Sequence, residues 1–408
     1  MKMKSKIINI FEKIGNISIF IFALSLFNSK GVQNISFGLG ILCFLILFIL
    51  NKESLDFGDK KLRIAILTMT VGLVIFTSFS DVGLISSKKV ISRYYKYLMF
   101  FPLCSFIKTK KDLKIFICIA LISLLSSHFL GVKQFLEATN KNQRFGVFFD
   151  LIGYANILSV GAIFLLSFFL FHKVKWMWKM SYLLLYFISI FLIVITKTRG
   201  AYITIIFVSL FLLVLKSKKN LIIGLGILVA LYFTMPQQYI NRIKTIKTIE
   251  KNNSNNLRIM FWKASIYTYI QNPIFGAGNK GCEKFYEEYY KKIGKYEEIK
   301  KKYPGKLGNA HSTYFAWLSR YGLMLLFLIY FKFKLIPEKL YSLYKGELDT
   351  FDKAMLYSLM GGFLCFYIAG LTENQLSKQV TGYFFATLVS LLSIMNRVVK
   401  NKKIKQLG

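Results

Sequence analysis

Acidic residues are scarce in this sequence: 19 Asp and Glu stand against 55 Lys and Arg, for a formal charge of +36. Charge of either sign is sparse too, at 18% of 408 residues, while 55% are hydrophobic, which argues against a soluble domain. Cysteine is also rare. Cys43, Cys104, Cys118 and Cys365 lie within apolar runs and Cys282 stands alone in a polar stretch, so no disulfide framework and no CxxC metal pair is expected. No small-x-small cleavage motif follows the basic start, residues 1–6, and its apolar run, so a retained first helix is expected instead of a removed leader. No repeated halves are visible, and the informative polar groups do not gather in the middle of the apolar runs, which weighs against a transporter.

What is present is apolar sequence of bilayer length. A spanning helix needs ~20 residues, fewer where flanking lysines snorkel. Such runs occupy 14–28, 34–50, 62–79, 90–107, 113–131, 151–171, 180–196, 201–215, 220–235, 311–331, 354–371 and 379–396. The expected fold is therefore all-α and integral to the membrane, with about 12 transmembrane helices that satisfy their own backbone hydrogen bonds. The lysines sit mainly in the short connections, which is how membrane topology is written, so nucleic acid is not the expected partner.

Those connections alternate. Segments 51–61, 108–111, 172–179, 216–219 and 332–353 and the tail 397–405 are rich in Lys, whereas those near Lys30 and at 80–89, 196–200 and 372–378 are poorer. The positive-inside rule then puts both termini in the cytoplasm. A long basic insert breaks the alternation, but long segments cross largely regardless of charge, so it is placed outside. Three parts follow: transmembrane helices one to nine over 1–235, an extracytoplasmic loop over 236–310, and helices ten to twelve with a cytoplasmic tail over 311–408.

Two helices are expected in the insert. Ile259, Trp262, Ile266, Tyr269 and Ile270 share one face, ending at Asn272-Pro273. Phe285, Tyr289, Ile293 and Tyr296 share another, weakened by Gly294 in its middle. Gly276-Ala277-Gly278-Asn279-Lys280-Gly281 fits GxGxxG but follows a helix and a proline, not a strand, so a tight turn is expected there. Asp56-Phe57-Gly58 has no kinase context and reads as chance.

Four residues stand out on the expected outer side. Arg144 lies in Asn142-Gln143-Arg144-Phe145-Gly146, Arg199 in a very short connection, Arg258 at the start of the first insert helix, and His311 at the start of span ten. Glu373, on the last outer connection, and Arg242, in the insert, are further candidates. Each Arg alone reads as an interfacial anchor. Together, three guanidinium groups and an imidazole suit a bound diphosphate, because the planar Arg fork matches phosphate oxygens. Arg320, about nine residues into span ten and so ~14 Å below His311, needs a partner or water.

His311-Ser312 followed by nine residues and Gly322 resembles the hallmark of the bacterial O-antigen ligase and O-antigen polymerase superfamily, with Leu325 departing from the small or Tyr position. Thr198-Arg199-Gly200-Ala201, the segment Arg258 to Gly278 with Pro273-Ile274-Phe275-Gly276, and Arg144-Phe145-Gly146 with Asn156 are similar to its other segments, in the same order over roughly residues 140–325. The resemblance implies a GT-C-like glycosyltransferase of the bacterial inner membrane, closer to the ligase, with a periplasmic active site. It implies transfer of a glycan from undecaprenyl diphosphate to an acceptor hydroxyl such as the lipid A core, with inversion and without metal or cofactor. Arg144, Arg199 and Arg258 would hold the diphosphate, His311 would be base or phosphate ligand, and the polymerase is the alternative. No DxD pair occurs on the outer loops to hold Mg²⁺, in keeping with a metal-free scheme.

Overall fold

The computed structural model describes residues 2–80, 83–139, 143–147, 150–234, 240, 253–302 and 309–407. Among the described residues the regular structure is helical, with no strand. The helices are α1 Lys2–Ser25, α2 Lys30–Leu50, α3 Lys60–Ser78, α4 Gly83–Tyr94, α5 Phe100–Phe106, α6 Lys110–Glu137, α7 Leu151–Phe171, α8 Trp176–Ile195, α9 Arg199–Lys216 and α10 Lys218–Thr234. There follow α11 Asn253–Gln271, α12 Gly278–Lys292, α13 Tyr296–Lys302, α14 Thr313–Tyr321, α15 Met324–Tyr330, α16 Ile336–Tyr344, α17 Thr350–Thr372 and α18 Gln379–Leu407.

The scarce acids have identifiable places. Asp59, Asp150 and Asp349 are N-caps whose carboxylates accept backbone N–H groups of α3, α7 and α17, and Asp112 and Asp352 complete capping boxes in α6 and α17. Each such cap stabilises its helix by ~1 kcal/mol. Asp56, Asp59, Glu338 and Asp349 also tie the lysine-rich connections together at one end of the bundle. Lys339–Asp59 is 2.5 Å, Lys61–Glu338 2.6 Å and Lys110–Asp349 2.6 Å, and Asp56 pairs with Arg397. Asp56-Phe57-Gly58 is thus a turn, with the Gly58 N–H donating to Asp56.

Among the described residues nine helices are long and apolar enough to cross a membrane. α7 and α18 form the centre, with 83% of their apolar windows buried, and α17 follows at 67%, while α2 and α8 expose most of theirs. The other three apolar runs depart from a full-length helix. Run 90–107 is cut by a 3-10 segment, Tyr95–Met99, and α10 has 17 residues.

The third departure bears on the site. Run 311–331 is not one unbroken helix: α14 stops at Gly322, whose φ of 50° suits glycine, and a second helical stretch begins at Met324. That stretch continues through a π-turn, Phe331–Leu335, into α16, so the connection expected at 332–353 is helical as far as Tyr344. Lys332 is buried in it. Its Nζ lies 2.9 Å from the Tyr314 hydroxyl, and the Tyr314 and Tyr367 ring centroids are 4.5 and 4.6 Å away. A charge withdrawn from water is costly, and two aromatic faces are one way to offset that cost.

Segment 253–302 has its own small core of Leu257, Phe261, Ala264, Ala277, Cys282, Tyr286, Tyr290 and Ile299. Its first helix ends at Gln271 as expected, but the expected stripe is its outward face. Leu257, Phe261, Ala264 and Thr268 are buried, whereas Ile259, Ile266 and Ile270 are exposed. The second expected helix is two, because Gly294, at φ 66°, ends α12 and α13 starts anew. Of the GxGxxG stretch only Gly276 and Ala277 lie in the turn after α11, and Gly278 to Gly281 form the first turn of α12, with Gly276 and Gly278 both at positive φ.

Candidate active site around Glu373

The site is built where several helices end. α17 finishes at Thr372, which leaves Glu373 as its C-cap, 7% exposed. Arg258, in the second turn of α11, donates from an Nη to Glu373 Oε1 at 3.0 Å. His311 Nδ1 lies 4.0 Å from the other carboxylate oxygen, longer than a hydrogen bond but in the same cleft. The start of α14 is held by side chains to the last turn of α17 and to its C-cap. Ser312 Oγ donates to Gly370 O at 3.2 Å, and Thr313 Oγ1 donates to Glu373 O at 3.0 Å.

Backbone strain is concentrated here. Among the described residues the non-glycine positions at positive φ are His311, at 47°, and Lys197, at 52°. Such residues persist only where surroundings over-determine them, and they cluster at functional sites. His311 is held by Phe261, whose ring stacks at 5.5 Å and 21°, and by Asn309. Asn309 Oδ1 accepts the His311 N–H, so its Nδ2 is the group 3.3 Å from Nε2. An amide nitrogen only donates, so Nε2 carries the lone pair in a neutral ring and Nδ1–H faces Glu373.

Lys197 belongs to the other side of the site, the three-residue connection from α8 to α9. Arg144 Nε donates to Thr196 O at 2.8 Å and an Nη to Thr198 Oγ1 at 3.1 Å, so Arg144 fastens this connection. Arg199 opens α9, and the neighbouring Gly200 leaves a Cβ position only 3.0 Å from Thr372 Oγ1, one residue before Glu373. The charges of Arg258, Lys378 and Arg144 are all felt at Glu373. Arg144, Arg199, Arg258, His311 and Glu373 are therefore gathered at one end of the bundle. Arg242 lies outside the described residues.

Glu373, only a further candidate in the sequence, is the hub of this arrangement, not an arginine. Asn309, Phe261 and Thr313 were not singled out from the sequence, and Thr198 was named only as part of the segment around Arg199; Asn309 carried a further signal, a polar residue two before His311. Arg320 is not in this site. It is buried on α14 beside Cys282, Tyr286, Tyr94 and Tyr321, near Arg93.

Burial pushes the Glu373 carboxyl above the ordinary carboxylate range, against the pull of Arg258, Lys378 and Arg144. A raised folded-state pKa means that the protonated form favours the fold. That contribution is complete below the unfolded value of ~4.3 and lost as pH rises through the raised folded value. Glu373→Gln is thus expected to flatten this slope and to be no less stable than the parent at neutral pH. Thermal unfolding in detergent from about pH 4 to about pH 8 checks it; a parent protein that gains stability relative to the variant as pH rises through this window would contradict the sign.

No curated protein matches the chain. Residues 184–330 match the sequence model of a family described as O-antigen ligase, a segment that contains Arg199, Arg258 and His311 and leaves Arg144 and Glu373 outside. Nine bilayer-length helices among the described residues and this matched segment make the chain a multi-pass membrane protein that is similar, over residues 184–330, to the O-antigen ligase family.

Proposed function

We propose that the protein transfers a glycan from undecaprenyl diphosphate to an acceptor hydroxyl at the outer face of the inner membrane, as a ligase acting on lipid A core. The observation that carries the chemistry is the buried Glu373 carboxylate shared between Arg258 and the face of His311 that bears Nδ1–H. The acceptor hydroxyl attacks the anomeric carbon, a new C–O bond forms with inversion, and the bond to the diphosphate oxygen breaks. The proton passes to His311 Nε2, displacing the Asn309 amide, and Glu373 stabilises the imidazolium through Nδ1–H. Undecaprenyl diphosphate departs with the bonding electron pair, and the charge that grows on it is met by Arg144, Arg199 and Arg258. In this scheme the guanidinium groups take the place that Mg²⁺ holds in metal-dependent transferases.

The polymerase reading differs only in the acceptor, a second carrier-linked glycan. A strain lacking the protein separates the two on a gel of surface glycolipid. Loss of all glycan from the lipid A core, with long carrier-linked chains accumulating, supports the ligase. A single repeat unit left on the core supports the polymerase, and an unaltered profile removes both.

The domain division and sidedness belong to the same proposal: helices one to nine over 1–235, an outer insert over 236–310, three further spans over 311–408, about 12 in all, and both termini inside. Support comes from the two-ended bundle, since the site residues share one end and the acid-bridged lysine connections the other. In a protein freed of native cysteines, Cys at Lys197, Lys292 or Asn374 is expected to react with an impermeant maleimide from outside. Cys at Lys218 or Lys345 is not. Labelling of Lys292→Cys from the cytoplasm alone would remove the site from the side where the donor is proposed to be.

A further inference from the structure

Helix α11 has two apolar faces and one of them is uncovered. Leu257, Phe261, Ala264 and Thr268 are buried against α12 and α14. Ile259, Ile266 and Ile270 point the other way, exposed by 37%, 43% and 65%. At 3.6 residues per turn these three lie within about 40° of one another. Trp262 and Tyr269 flank them on one side and Tyr267 on the other. Lys263 is the charged residue within the stripe, and its long stem can carry the ammonium out to water. A helix at a soluble surface keeps one apolar stripe and a polar opposite face, which α11 does not.

The uncovered stripe is continuous with a lipid-facing surface. Beyond α11 it runs into Ile274 and Phe275, and the Phe275 ring meets Phe76 at 5.0 Å and Phe79 at 5.5 Å. Phe76 and Phe79 stand at the end of α3, a candidate span whose outward residues Val71 and Ile75 are exposed by 53% and 57%. An apolar patch of this extent marks an interaction surface, and here it borders the bilayer on one side.

We propose that α11 lies in the membrane interface, on the side of the bilayer that carries the insert, with Ile259, Ile266 and Ile270 against lipid at the boundary of headgroups and acyl chains. Tyr269 beside the stripe suits that depth, where amphipathic rings are enriched, while Trp262 and Tyr267 turn back onto Phe315 and Tyr289. The first helix of the polar insert is then a membrane-lying element, and its depth sets the height of Arg258, which it carries. The inference does not depend on the glycan-transfer reading.

Full-length protein in lipid nanodiscs tests it, with Cys118→Ser removing the exposed native thiol. An environment-sensitive fluorophore is placed singly at Ile266→Cys and Ile270→Cys, with Ile75→Cys as the lipid-facing reference and Lys284→Cys on α12 as the aqueous one. Nanodiscs with spin-labelled lipid are expected to quench the two α11 sites as strongly as Ile75→Cys, and iodide in the buffer to quench only Lys284→Cys strongly. Quenching of the α11 sites by iodide as at Lys284→Cys would show a helix in water and overturn the proposal. Protection from both quenchers would show a protein partner covering the face and overturn it as well.

Discussion

Replacing His311 with Ala is expected to lower glycan transfer by about 10²–10⁴-fold while the protein still folds and inserts, the range that loss of a positioned general base produces. The ring is partly exposed, and its contacts are the Phe261 face, the Asn309 amide and the edge of the Glu373 cleft. Its packing contact with the small insert core is one face of the Phe261 ring, so the unfolding temperature should fall only modestly. The arrangement also separates the two roles open to an imidazole here. As a base through Nε2, His311 cannot be replaced by Lys or Arg, and the loss falls on the rate at saturating donor. As a phosphate ligand, it is partly replaced by either, and the loss falls on donor affinity. Transfer assays with purified donor over a concentration series distinguish these outcomes. Near-parental turnover by a well-folded His311→Ala protein would leave the residue as a strained helix start and nothing more.

Gly322→Ala is expected to lower transfer by about 10²-fold and to reduce stability together, although Gly322 touches none of the reacting groups, because a misplacement of ~1 Å at the site has that cost in rate. Two reasons combine. Its φ of 50° and ψ of −123° are strained for a residue with a side chain, at ~1–3 kcal/mol. A Cβ there would also overlap the carbonyl oxygens of Pro273 and Ile274. The fit is reciprocal: a Cβ on Gly276 would overlap the Arg320–Tyr321 backbone, and hydrogen bonds from Leu323 N–H to Ile274 O at 3.0 Å and from Ala277 N–H to Ser319 O at 2.9 Å close the contact. The turn after α11 is thereby locked to the end of α14, and with it the helix of Arg258 to the helix that His311 precedes. Leu323→Ala, at a half-exposed neighbour that keeps its backbone hydrogen bond, serves as the control and should be nearly neutral. A Gly322→Ala protein with parental activity and unfolding temperature would show that this lock does not position the site.

Nine of the twelve apolar runs, most of the lysine-rich connections and the end of α11 before Pro273 were legible in the sequence. These are local matters: bilayer length, loop charge and helix punctuation act over neighbouring residues. The sequence could not show which of the two apolar faces of α11 is buried, because Leu257, Phe261 and Ala264 look no more like a core than Ile259, Ile266 and Ile270. That choice depends on what packs against the helix. The break at Gly322 was hidden for a similar reason: a glycine inside an apolar run is common, and only the close approach of the Pro273–Gly276 turn makes it a corner. Lys332 read as a loop residue until Tyr314 and Tyr367 were found on either side of it. Glu373 shows the difference most clearly. A carboxylate on a short connection is a surface group unless other helix ends converge on it, and its burial between Arg258, 115 residues away in the chain, and His311 is a product of tertiary packing alone.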